Sequence, residues 1–283
     1  MILEDWHTHN KLCRHAKGIP EDYVKEAIKK KLNLIGISDH FPYEIYDNIE
    51  AIPHEEYAMK VNEIEKYIDN VENLKQEYQD IIEIRTGLEI DYIKDQTERV
   101  IPLLNKNKDK IDYILGSLHV LHIGDEPWCF DDSRFMKQYN QYKTINDVYL
   151  HYYETKKRML ENTKFEFDIV SHFDLPKKFN KLPENKELVY DKASQVLEII
   201  KKKDLTVEIN TSGFRKEVKE QYPSIEIIRK LDELDIPILL GSDAHEPSEV
   251  AWKFKEITEL LKKIGFSQFA HFDKRTRIMI DIK

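Results

Sequence analysis

Met1-Ile-Leu-Glu-Asp-Trp6 runs directly into His7-Thr8-His9, and near the other end Ile236-Pro-Ile-Leu-Leu-Gly241 runs into Ser242-Asp243-Ala244-His245. Each short apolar stretch stops at a group of imidazoles and carboxylates. The arrangement recurs between them at Gly36-Ile-Ser-Asp39-His40, Thr86-Gly-Leu-Glu89, Gly116-Ser-Leu-His119 and Ile169-Val-Ser-His172. Short, mostly apolar runs of this kind are the pattern of strands buried on both faces of a parallel sheet.

Seven such strands are predicted, over 2–6, 34–38, 82–90, 111–117, 168–171, 206–209 and 237–240. Amphipathic stretches predict helices over 21–31, 55–79, 96–107, 145–162, 186–203, 224–234 and 248–264. Pro20 and Pro247 stand just before two of these helix starts, where a missing N–H costs nothing. An open doubly wound sheet gathers ligands mainly at its switch point. A barrel gathers them from every strand at one face. Here motif groups follow six of the seven strands, or all seven if Glu208-Ile-Asn210 is counted. The expected fold is therefore α/β, a distorted (β/α)7 TIM-like barrel, with residues 1–283 as one domain. Segment 121–144 lacks periodicity and carries Trp128, Phe130, Phe135, Tyr139 and Tyr142. It reads equally as a lid or substrate wall and as a surface hairpin packing on its own hydrophobics.

Composition narrows the function. The chain has 44 basic and 53 acidic residues, a net charge of −9, which argues against nucleic acid as the main partner. No apolar run approaches the ~18 residues that span a bilayer, so no membrane association is expected. The two cysteines, Cys13 and Cys129, lack CxxC spacing and fit a reducing, cytoplasmic setting. Cys13 lies between His9 and His15 and is expected to be an ordinary thiol.

His7 and His9, two apart on a strand, share a face and can converge on one ion. Asp5 lies on the same side and is expected to orient His7. Asp39-His40 and Asp243-Ala-His245 place carboxylate beside imidazole, and a carboxylate can bridge two ions where an imidazole cannot. Glu89 sits between Leu88 and Ile90, and a buried lone carboxylate is costly unless paired or bound to a cation. His119 and His172 complete the set. Each could alone be a hydrogen-bonded core group or a helix cap. Together they predict a polynuclear site for borderline transition metals.

In this order the motifs resemble the polymerase and histidinol phosphatase (PHP) superfamily of metal phosphoesterases, over essentially the whole chain. Gly116-Ser-Leu-His119, His172-Phe-Asp174, Glu208-Ile-Asn-Thr-Ser-Gly213 with Arg215, Tyr222-Pro-Ser224 and Gly241-Ser-Asp-Ala-His-Glu-Pro247 are similar to the monofunctional histidinol-phosphatase branch. The resemblance implies nine metal ligands: His7, His9, His15, His40, Glu89, His119, His172, Asp243 and His245. It implies two or three divalent ions (zinc, iron or manganese) and hydrolysis of L-histidinol phosphate in histidine biosynthesis. Water held between ions would be the nucleophile. Asp243 is the candidate to bridge ions or orient that water, with His40 or His245 as leaving-group acid. Arg215 is the first candidate for the phosphate, Arg158 a second cation, and Ser117 and Asn210 further contacts. The alternatives are another small phosphate ester, such as a nucleotide or sugar phosphate, and a noncatalytic metal-binding barrel. A monomer or homodimer acting on a small phosphate ester is expected.

Overall fold

The computed structural model describes residues 3–282; Met1 and Ile2, which the first predicted strand includes in part, and Lys283 lie outside them. All seven predicted strands form, as β1 (Glu4–Asp5), β2 (Leu34–Ile37), β3 (Glu83–Asp91), β4 (Tyr113–Ser117), β7 (Ile169–Val170), β8 (Thr206–Asn210) and β9 (Ile238–Gly241). They make one parallel sheet in the order β1-β2-β3-β4-β7-β8-β9. The sheet curls until its ends meet. Trp6 N donates to Leu240 O at 3.0 Å, His9 N donates to Ala244 O at 2.9 Å, and Thr8 bridges Ala244 in parallel register. This is the predicted α/β barrel.

Its helices are α1 (Pro20–Lys29), α2 (Ile64–Glu77), α3 (Val100–Asn107), α4 (Ile145–Asn162), α5 (Lys186–Lys202), α6 (Ile225–Glu233) and α7 (Phe254–Ile264). α4 begins where predicted because Thr144 and Asp147 cap each other: Asp147 N donates to Thr144 Oγ1 at 3.3 Å and Thr144 N to Asp147 Oδ2 at 2.9 Å. Three helices are shorter than their periodicity predicts. The predicted 96–107 helix opens on a 3-10 turn, Thr97–Arg99, and is α-helical only from Val100. The start of the predicted 55–79 helix is instead two 3-10 turns, His54–Glu56 and Val61–Glu63. The predicted 248–264 helix starts at Phe254, and Pro247 opens only a 3-10 turn. Ala251 and Lys253 adopt left-handed backbone, φ 52° and 58°, because Ala251 N is drawn to the buried carboxylate of Asp5 at 2.8 Å.

Two antiparallel hairpins stand outside the barrel sheet. One pairs β5 (Val120–Ile123) with β6 (Glu126–Cys129), within the segment expected to be lid or hairpin. The other pairs β10 (Gln268–Asp273) with β11 (Thr276–Asp281). From this second hairpin Ala270 and Phe272 join Trp6, Leu34, Tyr113, Leu115, Ile169 and Leu239 in an apolar cluster. Trp6 is its centre, edge-on to Tyr113 at 5.0 Å and to Phe272 at 6.0 Å between ring centroids. A Cβ on Gly36 or Gly87 would fall 2.1 or 2.3 Å from the Tyr113 side chain, so both positions require glycine for this packing.

One buried cation stands out. Lys156 on α4 is fully buried, its Nζ 3.5 Å from Ser171 O and 5.0 Å from the Tyr152 ring centroid. Burial pushes its ammonium down to about 7, although Asp174, Glu208 and Asp91 favour the charge. The folded chain thus binds this proton less tightly than the unfolded chain. The resulting penalty is full below pH 7 and fades as pH rises toward the ordinary lysine value. Lys156→Met should therefore be more stable than wild type at pH 6–7, by on the order of a few kcal/mol, with the gap closing by about pH 10. Denaturant midpoints across that range test this, and a pH-independent difference would contradict it.

Candidate metal centre

Every strand of the barrel ends in a polar group at the same mouth. Glu89 near the end of β3 is the point on which the others converge, and it is 1% exposed. Its Oε2 lies 3.3 Å from His7 Nε2, 3.3 Å from His9 Nε2 and 3.1 Å from His40 Nδ1. Its Oε1 lies 3.0 Å from His172 Nε2 and 3.7 Å from His119 Nε2, and accepts the Ser117 hydroxyl at 2.6 Å. Asp243 forms a second focus, with Oδ1 at 3.4 Å from His9 Nε2, 3.4 Å from His245 Nδ1 and 3.9 Å from His7 Nε2. His15, on the turn after Lys11–Cys13, brings its ring within 4.8 Å of His245 and 5.4 Å of His40. All nine residues of the predicted ligand set are gathered here.

Several imidazoles are held by the nitrogen that faces away from the cluster. His7 Nδ1–H donates to Glu208 at 2.7 Å and His119 Nδ1–H to Asp91 at 2.8 Å. His15 Nδ1–H donates to the Cys13 carbonyl at 2.8 Å. Since carboxylates and carbonyls only accept, Nδ1 keeps its proton in each, and Nε2 is the nitrogen that can give a lone pair to a metal once any second proton has left. Glu208 also accepts His172 N at 2.8 Å and Asn210 Nδ2 at 3.1 Å, so one carboxylate fixes three strands. Gly241 makes this possible: a Cβ there would sit 1.9 Å from Glu208 Oε1. Asp5 plays a different part from the one predicted. It accepts the backbone N–H of His7 at 3.3 Å, Ser242 at 2.9 Å and Ala251 at 2.8 Å, tying the first and last strands while Glu208 orients the ring.

The donor set fits divalent metal ions. Among the described residues His7 Nε2, both ring nitrogens of His9 and His40 Nδ1 are buried without a hydrogen-bond partner. Orphaned buried nitrogens are costly, and shared cations would satisfy those that carry a lone pair, while His9 Nδ1 faces Asp39 Oδ1 at 3.5 Å. Three groups, His7-His9-Glu89, His9-His40-His245 and His40-Asp91-His119, each keep their ligand atoms within 4.8 Å of one another. Imidazole with carboxylate suits zinc, iron or manganese. Cys13, expected to be an ordinary thiol, is buried with its sulfur in similar range of His15 and His245.

Charge is balanced within the cluster. Burial opposes ionisation of Glu89, but the protonated imidazoles of His7 and His119 hold its carboxyl well below the usual range. Asp243 is likewise held down, against burial, by His7 and His9. Burial also disfavours protonation of His9 and His119, yet the carboxylates raise them to about 9 and about 10. In His40 and His245 burial and neighbouring histidines win, and both are pushed well down.

The remaining predicted site residues are dispersed. Ser117 is buried against Glu89 and Ser171 Oγ, 2.6 and 2.5 Å away. Asn210 reaches Asp243 Oδ2 at 3.4 Å and accepts the Ser212 hydroxyl at 2.7 Å. Arg215 turns its guanidinium onto the carbonyls of Ser242 (2.8 Å) and Asp243 (3.0 Å) and onto Glu249 (3.0 Å), bracing the loop that carries Asp243. Arg158 is an exposed residue of α4, 3.7 Å from Glu154, away from the cluster.

A cavity of about 670 Å³ opens over the ligand groups, and its cations are Arg14, Arg134, Lys178 and Lys216. None of the four is among the substrate-binding residues expected from the sequence. Lys178 follows β7 and Lys216 adjoins Arg215, so both lie just beyond strand ends, the signal used for Arg215 itself. The insertion forms the hairpin and also reaches the cavity. Trp128 and Phe130 pack into the main core while Asp131 to Arg134 line the opening.

The PHP domain family model matches residues 5–212. The chain is 32% identical to a "Probable histidinol-phosphatase" of Deinococcus radiodurans, over 93% of this chain and 94% of that one. It is 28% identical to the histidinol-phosphatase of Bacillus subtilis, over 92% and 99% respectively. Among solved structures it is similar to the hisK protein of Listeria monocytogenes, with TM-score 0.81 and 26% identity over 89% of this chain and 99% of that one. The histidinol phosphate phosphatase of Lactococcus lactis, solved with zinc, L-histidinol and phosphate, shares the fold at TM-score 0.77 and 21% identity, over 98% of each chain. The family match, running from β1 to just past β8, and the ligand groups at the strand ends agree: this chain belongs to the PHP domain family.

Proposed function

We propose that this chain hydrolyses L-histidinol phosphate to L-histidinol and inorganic phosphate, using two or three zinc, iron or manganese ions held by the nine converging residues. The observation that carries this is the convergence of imidazoles on Glu89 and Asp243 beneath a cation-lined cavity. The names of the Deinococcus and Bacillus relatives supply the substrate. No helix among the described residues is long and apolar enough to cross a membrane, in keeping with a small soluble substrate.

His7, His9, His15, His40, Glu89, His119, His172, Asp243 and His245 would hold the ions. Bound there, divalent cations supply Lewis-acid charge to the phosphoryl oxygens and an ionised water for attack. Asp243 and Glu89 remain carboxylates because the imidazoles around them keep them ionised. Ser212 donates to Asp243 Oδ2 at 3.0 Å, which fixes the carboxylate's orientation. Lys178 and Lys216 are placed to bind the phosphate. Lys216 is exposed as a residue, and partial desolvation in the cavity wall and then the charge of Lys178 push its ammonium down, so a phosphate dianion between them would relieve the repulsion. Asp131, 3.0 Å from Lys178, and Glu56 line the same cavity and offer carboxylates to the substrate's amine and imidazole. Arg215 acts one step back, as a positioning residue for Asp243.

Stripping the protein with a chelator should abolish phosphate release from histidinol phosphate, and zinc or manganese should restore it. His9→Ala and Asp243→Asn should not be restored; wild-type rates in both would end the proposal. For Lys216→Ala the expected change is in KM, roughly 10–100-fold upward with metal content retained, as for a lost hydrogen bond to a charged group. An unchanged KM removes Lys216 from the phosphate site. Glu208→Gln should lower metal affinity or kcat by roughly 10–100-fold through misorientation of His7. Equal metal content and kcat in that variant would show that the His7 bond has no such role. A release screen that includes nucleotides and sugar phosphates separates histidinol phosphate from other esters.

A further inference from the structure

A second cavity, of about 600 Å³, lies between α4, α5, α6 and the segment that follows His172. Its floor is a buried ion group outside the metal centre. Asp174 is 3% exposed; its Oδ2 accepts Ser224 N at 2.8 Å and lies 3.0 Å from Lys177 Nζ, itself buried. Glu220 Oε2 approaches the same ammonium at 3.4 Å. One ammonium therefore faces two carboxylates. The other oxygen of Asp174, Oδ1, and Lys177 Nζ are both buried without a hydrogen-bond partner, and with two carboxylates to one ammonium the floor is net negative. A buried carboxylate oxygen left unpaired beside a cavity can accept a donor from a ligand.

The walls define the rest of the ligand. Tyr149, Tyr153 and Tyr190 supply aromatic rings, and Val189 and Ala193 an aliphatic face. The mouth carries Lys186 and Arg229 against Glu187, Glu226 and Glu233, the last paired with Lys230 at 3.0 Å, so its charge is balanced. The negative charge is thus concentrated at the floor, where an ammonium gains from carboxylates and aromatic faces together. We propose that this cleft is a binding site for a small organic cation, a primary ammonium carried on an aromatic or aliphatic body. It stands apart from the metal cavity. The two share one wall, where Lys177 Nζ lies 5.5 Å from the ring centroid of Tyr222 and that ring lines the metal cavity.

The test is calorimetric titration of the zinc-loaded full chain, in saturating inorganic phosphate, with 2-phenylethylamine. Saturable one-site binding is expected, with at least tenfold weaker binding of neutral 2-phenylethanol. Asp174→Asn should weaken the amine at least tenfold, and Glu220→Gln, at a more exposed position, does so without risk to the buried floor. Asp131→Asn, in the metal cavity, should leave amine affinity unchanged. Absence of saturable binding, equal binding of the alcohol, or loss of binding in Asp131→Asn but not in the cleft variants would overturn the site.

Discussion

The Glu89 carboxylate is the constraint around which the molecule is arranged. It lies within a strand whose flanking residues, Leu88 and Ile90, are fully buried in the main core. A carboxylate so placed is strongly destabilising alone, and here imidazoles from four other strand ends surround it. Those imidazoles are in turn held by a second layer, Glu208 on His7 and Asp91 on His119. Tyr43 donates to Asp91 Oδ2 at 2.7 Å, extending the network outward from the mouth. Removing positive charge from the centre would leave two carboxylates facing each other across shared imidazoles. Bound cations would resolve that conflict.

Closing the barrel is what lets the ends of the chain share this site. β1 is only two residues long, and its seam with β9 relies on Trp6, His9 and the buried Asp5, which accepts N–H groups from both sides. Asp243 sits just past that seam with φ of 50°, a conformation unfavourable for a residue with a side chain. Bonds from Ser212 and Asn210 to its carboxylate, and from Arg215 to its carbonyl, hold it there. The family match ends at residue 212, yet the closing strand supplies two of the nine candidate ligands.

The barrel strands were legible because buried parallel strands carry unbroken apolar runs, and the ligands were legible because each run ended in a polar motif. β10 and β11 escaped because β11 alternates with charge, as in Thr276-Arg-Ile-Met-Ile-Asp281, and resembles an exposed tail in sequence alone. Its turn uses Lys274 and Arg275 at φ 45° and 65°, where glycine or asparagine would have given the usual signal. α7 was overextended because its hydrophobic period continues through Ala251 and Trp252, and only the distant Asp5 carboxylate breaks it. The roles of Arg215 and Lys216 illustrate the same limit. Adjacent basic residues are equivalent in sequence, and the direction each takes is set by Glu249 and the Ser242 and Asp243 carbonyls, far away in the chain.

If the imidazoles and carboxylates at the barrel mouth form one metal cluster, anomalous diffraction at the zinc absorption edge, on crystals of the zinc-loaded chain, will locate it. Two or three peaks are expected within about 2.0–2.2 Å of ligand atoms from the nine residues, with Glu89 and Asp243 each at bonding distance from at least one. Zinc found elsewhere, or a mouth whose imidazoles pair only with water and carboxylates, would contradict the cluster.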